Sequence, residues 1–365
     1  MALWQRGLWT ALALGALAVT VWPARQLGTE FMPDLNEGTL LYMPTTLPGI
    51  SVTKASELMQ TQNRIIKSFP EVASVYGKAG RAATATDPAP SEMFETVVNL
   101  RPKQEWRKGL TLDGLIAEMD KALQFPGVSN AWTMPIKARI DMLSTGIRTP
   151  VGVKVIGPDL AVIDKLARQV EQVLKAVPGT SSAYAERNLG GYYLEITPNR
   201  EALARYGIAV QDVQDTIATA LGGQSVTTTV EGRQRFTVNM RYPRDLRDNP
   251  GAIANDILVP MPAGGAVPLG EVANVTPARG PSSIRTENGQ LATYIYVDIR
   301  DRDLGGYVAD AQRAVQASVL FPPGTYLVWS GQYEYLERAA ARLKIVVPVT
   351  LAIIFLLLYL NFRSV

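Results

Sequence analysis

Residues 151–180 read VGVKVIGPDLAVIDKLARQVEQVLKAVPGT, and this stretch predicts the architecture of the chain. The run 151–156 is apolar and rich in Val and Ile, as expected of a buried strand. The apolar residues that follow recur at the spacing of an amphipathic helix, at Ile163, Leu166, Ala167, Val170 and Leu174. At 177–180 Pro stops the helix, and Gly turns the chain towards another strand. The stretch therefore predicts a β–α–β unit.

The same unit is repeated four times along the chain. The first strands of the four units span residues 39–43, 94–100, 151–156 and 292–299. The Pro-containing corners lie at 69–72, 125–128, 177–180 and 321–325. Two packed β–α–β units make a split βαβ, ferredoxin-like layer, so four units predict two such subdomains. A single doubly wound parallel sheet is the alternative, but it leaves the long interruption between the third and fourth units unexplained.

The fold class that we predict is therefore α+β, with an α+β module inserted into the second ferredoxin-like subdomain. The inserted residues include helical stretches at 200–206 and 211–221 and a hairpin of 225–230 and 234–242 around Glu231-Gly232. Insertion at an exposed loop costs little loop-closure entropy. The predicted boundaries are 38–148 for the first subdomain, 149–198 with 291–332 for the second, and 199–290 for the insert.

Both ends of this body carry apolar stretches without a charged residue, at 7–24 and 345–362. As helices they would be about 27 Å long, close to the thickness of the bilayer core. We predict two transmembrane helices. A signal peptide is the alternative for the first stretch, and a buried soluble helix for the second. Neither contains an Asp, Glu, Lys, Arg or His side chain, so no proton relay is visible in them.

The composition excludes several functional classes. Lys and Arg total 36 against 33 for Asp and Glu, and a net charge of +3 is too small for a nucleic-acid partner. Cys and His are both absent. Their absence excludes disulfides, Cys/His zinc sites, thiolate nucleophiles and Ser-His-Asp triads. We therefore expect no enzymatic activity.

Methionine is the soft metal donor that remains, with ten residues in the chain. Thioethers select soft ions such as Cu(I). Met59 and Met119 fall on apolar helix faces and are interpreted as core residues, whereas Met43, Met93 and Met142 lie near the ends of predicted elements, which can meet at one rim of the layer. A shared site and ordinary packing are both open. The charged residues near them could form a path for a cation or a salt-paired surface.

Several longer runs resemble the heavy-metal efflux branch of the resistance-nodulation-division transporters, and within it the copper/silver pumps. They are LLYMPTTLPGIS at 40–51, GKAGRAATATDPAPSEMFET at 77–96, RIDMLSTGIRTPVGVKV at 139–155 and VDIRDRD at 297–303. The resemblance extends over essentially the whole chain. It implies the start of the second half of such a pump, comprising a first span, the periplasmic loop with two porter subdomains and a docking module, and the next span.

The resemblance also implies a function and a site. These pumps lie in the bacterial inner membrane as homotrimers, work with a periplasmic membrane-fusion adaptor and an outer-membrane channel, and export Cu(I) or Ag(I) by proton-driven antiport. The ion is cargo, and no cofactor is implied. By position in the motifs, the family's three metal ligands match Met43, Met93 and Met142. Its metal path matches Glu37, Asp87, Glu95, Arg139 and Arg148, the last standing where the family is expected to have Lys.

Two rival interpretations remain open at this stage. One is a divalent-cation pump for Zn, Co or Cd, and the other is a two-span periplasmic metal sensor. Because the family's proton-relay residues lie in later spans, we expect this polypeptide alone to bind metal without pumping it. Metal resistance restored to a pump-deleted strain by this chain alone would contradict that expectation.

Overall fold

The computed structural model describes residues 3–24, 28–29, 36–80, 89–281 and 283–363. The chain forms two compact units, one made of residues 1–189 and 282–365 and the other of residues 190–281. The helices are α1 Leu3–Ala24, α2 Val52–Lys67, α3 Leu112–Ala122, α4 Pro135–Thr145, α5 Leu160–Lys175, α6 Arg200–Tyr206, α7 Val210–Ile217, α8 Pro250–Asp256, α9 Leu269–Val272, α10 Leu304–Ser318 and α11 Gln332–Phe362.

Most of the strands fall where the sequence predicts them. They are β1 Thr39–Tyr42, β2 Val72–Ala79, β3 Phe94–Leu100, β4 Trp132–Thr133, β5 Val151–Gly157, β6 Thr180–Ala185, β7 Gly191–Pro198, β8 Gln224–Glu231, β9 Gln234–Met240, β10 Leu258–Pro260, β11 Ala266–Pro268, β12 Ala273–Gly280, β13 Arg285–Glu287, β14 Gln290–Ile299 and β15 Tyr326–Gly331.

The first sheet has the strand order β2-β3-β1-β4, and its neighbours are antiparallel. This is the order expected when two β–α–β units interleave in a ferredoxin-like layer. Helices α2 and α3 cover one face. Their core packs Ile66, Leu115 and Met119 against Leu40 and Tyr42 of β1. Because side chains alternate along a strand, Leu41 and Met43 belong to a separate cluster on the other side.

The second sheet repeats this order as β15-β5-β14-β6, again antiparallel. β5 is central and buried along its whole length, which explains its nearly continuous apolar sequence. Val151, Val153 and Val155 pack against α5 and α10. On the opposite face, Tyr294 and Tyr296 of β14 pack with Ile147 and Ile156. The prediction of two ferredoxin-like layers is confirmed by these two strand orders.

The inserted unit begins and ends nine residues before the predicted limits of 199–290. β7 pairs with β12 over eight residues, from Gly191 opposite Gly280 to Pro198 opposite Ala273. This ribbon places residues 190–198 in the insert. At the other end β13 pairs with β14, so residues 282–290 go with the second subdomain. The predicted segment 149–198 is therefore too long, because the sequence pattern did not reveal which strand β7 pairs with.

The inserted unit has its own core, in which Leu203, Val213, Ile257 and Leu269 are buried. The predicted hairpin is confirmed as β8 and β9, which pair from Gln224 opposite Met240 to Glu231 opposite Gln234. Both strands of this hairpin are exposed along their whole length.

Two terminal helices correspond to the two apolar stretches. α11 contains the predicted span 345–362, and it is long and apolar enough to cross a membrane. The segment 7–24 is helical within α1, but the apolar part of that helix, Ala11–Pro23, is shorter. Its crossing of a membrane therefore stays a prediction.

Gly331 joins β15 to α11 in a conformation that requires glycine. Its φ is +82°, a backbone region that L side chains rarely adopt. A Cβ at this position would lie 2.8 Å from the Pro150 carbonyl oxygen. The same oxygen accepts a hydrogen bond from the Gln332 N–H at 3.0 Å, so it cannot move away freely. The start of α11 is thereby fixed to the segment that precedes β5.

We predict that Gly331→Ala destabilises the protein more than Gly289→Ala does. Gly289 has a similar φ of +80°, but a Cβ added there would meet no atom within 4 Å. The Gly289 variant should cost only the left-handed backbone penalty of about 1 kcal/mol, and Gly331→Ala about 1–3 kcal/mol more because of the clash. Denaturant unfolding of the two variants measures this difference, and equal losses would contradict the fixed joint.

Candidate metal site

Met43 lies one residue beyond the end of β1, on the sheet face that α2 and α3 do not cover. Its N–H donates to the Ala131 carbonyl at 2.8 Å, which continues the β1–β4 pairing. The side chain is 1% exposed and packs with Leu41 and Ala138, and with Met142 at the margin of the cluster. The strand alternation therefore directs this thioether towards α4.

Met142 is carried by α4, a helix that the strand–helix repeat did not predict. Pro135 begins the helix, where its missing N–H costs nothing. Gly146 ends it at φ +73°, with its N–H donating to the Met142 carbonyl at 3.0 Å. Ala138 and Met142 are four residues apart and so share one helix face, which packs on Leu41 and Met43.

Met93 lies in the turn that leads into β3. Its N–H donates to the Pro90 carbonyl at 3.0 Å, and its carbonyl accepts from the Gly80 N–H at 2.9 Å. It also forms an isolated bridge with Thr45, just beyond Met43. The side chain is 8% exposed. Pairing of β1 with β3 therefore brings the second thioether alongside the first.

A cavity of about 560 Å³ lies beside these residues. Met93 and Met142 line it directly. Met43 lies behind its wall, in contact with the lining residues Leu41 and Ala138. The structure thus brings the three predicted methionines to one place, and their role as metal ligands stays a prediction. The described lining residues are Leu41, Ala89, Met93, Glu95, Pro135, Ala138, Arg139, Met142, Leu143, Gly146, Arg148, Arg285 and Tyr296.

The charged residues of the predicted path differ in position. Glu95 and Arg139 line the cavity, and Glu95 forms an ion pair with Lys78 at 3.0 Å. Glu37 is placed differently. Its carboxylate accepts from the N–H groups of Ile136 and Lys137, at 3.0 and 3.2 Å, at the start of α4. An anion there is stabilised by the helix dipole, so Glu37 helps to hold the helix that carries Met142. Asp87 lies outside the described residues.

Arg148 is buried between the two subdomains, with 6% of its surface exposed. Its Nη2 donates to the Thr45 hydroxyl at 2.6 Å, and its guanidinium lies 4.3 Å from the centre of the Tyr296 ring. Among the described residues, its Nε and Nη1 have no hydrogen-bond partner. The interpretation of this charge as part of a solvated surface is therefore wrong, because the second sheet covers it.

Sequence reasoning did not identify the residues that the second subdomain contributes. Arg285 and Tyr296 line the cavity and both engage Glu186. The Arg285 Nε donates to its carboxylate at 2.9 Å, and the Tyr296 hydroxyl donates at 2.8 Å. Burial, together with the charge of Glu186, raises the pKa of the Tyr296 hydroxyl well above its usual value, so it stays a neutral donor. The alternation of side chains along β14 could have predicted that Tyr294 and Tyr296 lie on the sheet face away from α5 and α10. It could not have predicted which residues pack against that face.

Asp141, next to Met142, is held in place by α11. The Gln332 amide donates to its carboxylate at 3.1 Å. Burial raises the pKa of the Asp141 carboxyl, although the Gln332 hydrogen bond and the charge of Lys137 oppose the shift. The base of α11 therefore contacts the same helix that carries the third methionine. This links the helix that could cross the membrane to one wall of the cavity.

The chain is similar to several cation efflux proteins. It is 50% identical over 359 residues to the cation efflux system protein CusA of Escherichia coli O157:H7. The matched region covers 98% of this chain and 34% of that protein. It is 49% identical, with the same coverage, to the putative cation efflux system protein SilA of Salmonella typhimurium. The chain thus spans about a third of the length of these relatives.

The fold is similar to that of a solved transporter. A crystal structure of a heavy metal efflux pump superposes with a TM-score of 0.90 and 30% sequence identity, covering 96% of this chain and 37% of the pump chain. The sequence profile of the AcrB/AcrD/AcrF family matches residues 1–365, the full length of the chain. With its two ferredoxin-like layers and inserted unit, this protein belongs to the AcrB/AcrD/AcrF family.

Proposed function

We propose that this chain is the porter and docking portion of an efflux pump that exports Cu(I) or Ag(I). The observation that carries the proposal is a cavity between two subdomains that Met93 and Met142 line, with Met43 packed behind its wall against Leu41 and Ala138. Thioethers are neutral, soft donors that favour monovalent coinage-metal ions over Zn(II) or Co(II). A catalytic role is not part of the proposal, and the metal ion is cargo rather than a cofactor.

The proposal places the working pump in a bacterial inner membrane, with the ferredoxin-like subdomains and the unit of residues 190–281 in the periplasm. That unit would face an outer-membrane channel, and a periplasmic adaptor and two further copies of the pump would complete the assembly. Proton-driven antiport would supply the energy. The similarity to cation efflux proteins over nearly the whole chain supports these assignments, and α11 supports the membrane location.

Closure of the cavity is the mechanical requirement of this site. Met93 and Met142 are carried by different elements, and Met43 lies behind the wall formed by Leu41 and Ala138. Metal–sulfur bonds of about 2.3 Å require the three sulfurs to approach within roughly 4 Å of one another. Because α4 already packs on the end of β1, we infer that metal binding brings Met93 and Met142 together across the cavity.

The site assignment predicts a specific loss of Ag(I) binding. Met43→Ile, Met93→Ile and Met142→Ile should each weaken binding to the full chain in detergent by more than the roughly 10–100-fold that changes around a metal ligand cost. The measurement is competition titration in a nitrate buffer. Met119→Ile is the matched control, because Met119 is fully buried in the first subdomain but lies on the opposite side of the sheet.

Three outcomes separate the alternatives. Unchanged Ag(I) affinity in all three site variants, with the folded state verified by circular dichroism, would remove the methionine assignment. An equal loss in the Met119 control would show a packing effect rather than ligand loss. Tighter binding of Zn(II) than of Ag(I) by the unmodified chain would favour a divalent-cation pump.

The donor type also predicts a weak pH dependence. A thioether has no proton to lose, so Ag(I) affinity should change less than about threefold between about pH 5.5 and pH 7.5. Ligands that titrate would instead lose affinity as the pH falls, because protons compete with the metal. The same titration repeated across this range measures the effect, and a steep decline towards acid pH would contradict a site built of thioethers alone.

A further inference from the structure

The charge lining the cavity is unexpected for a site that receives a cation. Among the described lining residues, Arg139, Arg148 and Arg285 are positive and Glu95 alone is negative. Glu95 is already paired with Lys78. A guanidinium stays protonated in proteins. The charge of Arg285 is balanced by Glu186, but the described lining residues still carry an excess of positive charge that would repel a bare Cu(I) or Ag(I) ion.

Arg148 differs from Arg139, which is exposed, because it is a buried charge with unpartnered donors. Its side chain is held between the Thr45 hydroxyl and the Tyr296 ring. Thr45 is itself fixed, because its N–H donates to the Ser129 carbonyl and its carbonyl accepts from the Ser129 N–H, both at 2.9 Å. The Nε and Nη1 donors of Arg148 are buried without a partner in the described part of the chain. Such donors are costly unless an acceptor reaches them.

The acceptor does not come from the neighbouring carboxylates. Glu186 shares a small adjoining cavity with Arg148, but its carboxylate receives hydrogen bonds from Arg285 and Tyr296. Within the described residues, Arg148 makes no ion pair with Asp or Glu. An anion from outside the chain is therefore the acceptor that fits.

We propose that the cavity binds a halide ion, chloride in the cell, between the Arg148 guanidinium and the transported metal ion. This inference rests on the proposed function and names a second ligand of the same site. The halide would accept a hydrogen bond from one of the two unpaired Arg148 donors, Nε or Nη1, which point in different directions in the planar guanidinium. It would also coordinate the metal beside the thioethers and neutralise the cation. Nothing is oxidised or reduced, and no proton moves.

The surroundings favour a halide over a larger, strongly hydrated oxyanion. The lining near the methionines includes Leu41, Ala89, Ala138 and Leu143. These side chains offer no hydrogen bonds to replace the several water contacts of a phosphate or sulfate. Halides are also soft enough to coordinate Cu(I) and Ag(I), as the thioethers are.

The test is X-ray absorption at the copper edge of the full chain loaded with Cu(I), in bromide and in nitrate buffers. Bromide is the probe because it scatters more strongly than sulfur. In bromide we expect a Cu–Br contribution in addition to Cu–S. We also expect Cu(I) affinity about tenfold higher in bromide than in nitrate, the gain for one charge-assisted contact. Both effects should disappear in Arg148→Gln.

Arg302→Gln is the matched control, because Arg302 also lies over a tyrosine ring, that of Tyr307, but does not line the cavity. It should keep the bromide effect. Arg148→Lys, which keeps the charge and loses the planar fork, should retain it in part. If Arg148→Gln does not fold, the comparison of bromide with nitrate in the unmodified chain still decides whether a halide is bound.

The outcomes separate this inference from the proposed function. Cu–S scattering without Cu–Br, and equal affinity in both buffers, would overturn the halide site and leave the methionine site intact. Cu–Br scattering that persists in Arg148→Gln would overturn the role of Arg148. Absence of Cu–S scattering would instead refute the proposed function itself.

Discussion

The two faces of β1 are the constraint on which the rest of the site depends. Leu40 and Tyr42 are buried under α2 and α3, so the alternation of side chains leaves Leu41 and Met43 to the opposite face. In a plain two-layer domain that face would meet solvent. Here α4 covers it, and a thioether that would otherwise be exposed becomes part of a small second core. A slip of one residue in the pairing of β1 would send Met43 into the main core.

The cavity exists because the chain uses the same layer twice. In each subdomain the helices bury one sheet face, and the other face is left for a partner. The first subdomain offers Met93 and the end of β1, and the second offers Tyr296 and Arg285. Arg148 lies at the connection between the two layers, where it contacts Thr45 of one and Tyr296 of the other. A site at such a junction can open or close when the layers move, as the proposed binding and release of a metal ion would require.

The polar groups at this junction fall into two sets, one with its hydrogen bonds satisfied and one with buried donors that lack a partner among the described residues. Arg285, Glu186 and Tyr296 satisfy one another. In the described part of the chain, two buried donors of Arg148 have no partner, and an unsatisfied charged group in a low-dielectric site favours a ligand of opposite sign. Arg285 thus belongs to a structural ion pair with Glu186, whereas Arg148 is the group to which the proposed halide site is assigned.

The repeated strand–helix–corner pattern by itself determined the two ferredoxin-like layers. Burial of one face of each helix and strand imposes a regular spacing of apolar residues, which can be recognised in every unit. The absence of Cys and His likewise restricted the soft metal donors to methionine. Only the tertiary structure decided that α4 covers the back of β1, that residues 191–198 pair with β12 inside the insert, and that Arg285 and Tyr296 join the cavity. These features depend on contacts between segments far apart in the chain. Such contacts produce no regular pattern of residues in the sequence of either segment. The burial of Arg148 has the same origin, because its charge is typical of a surface until a second sheet is packed over it.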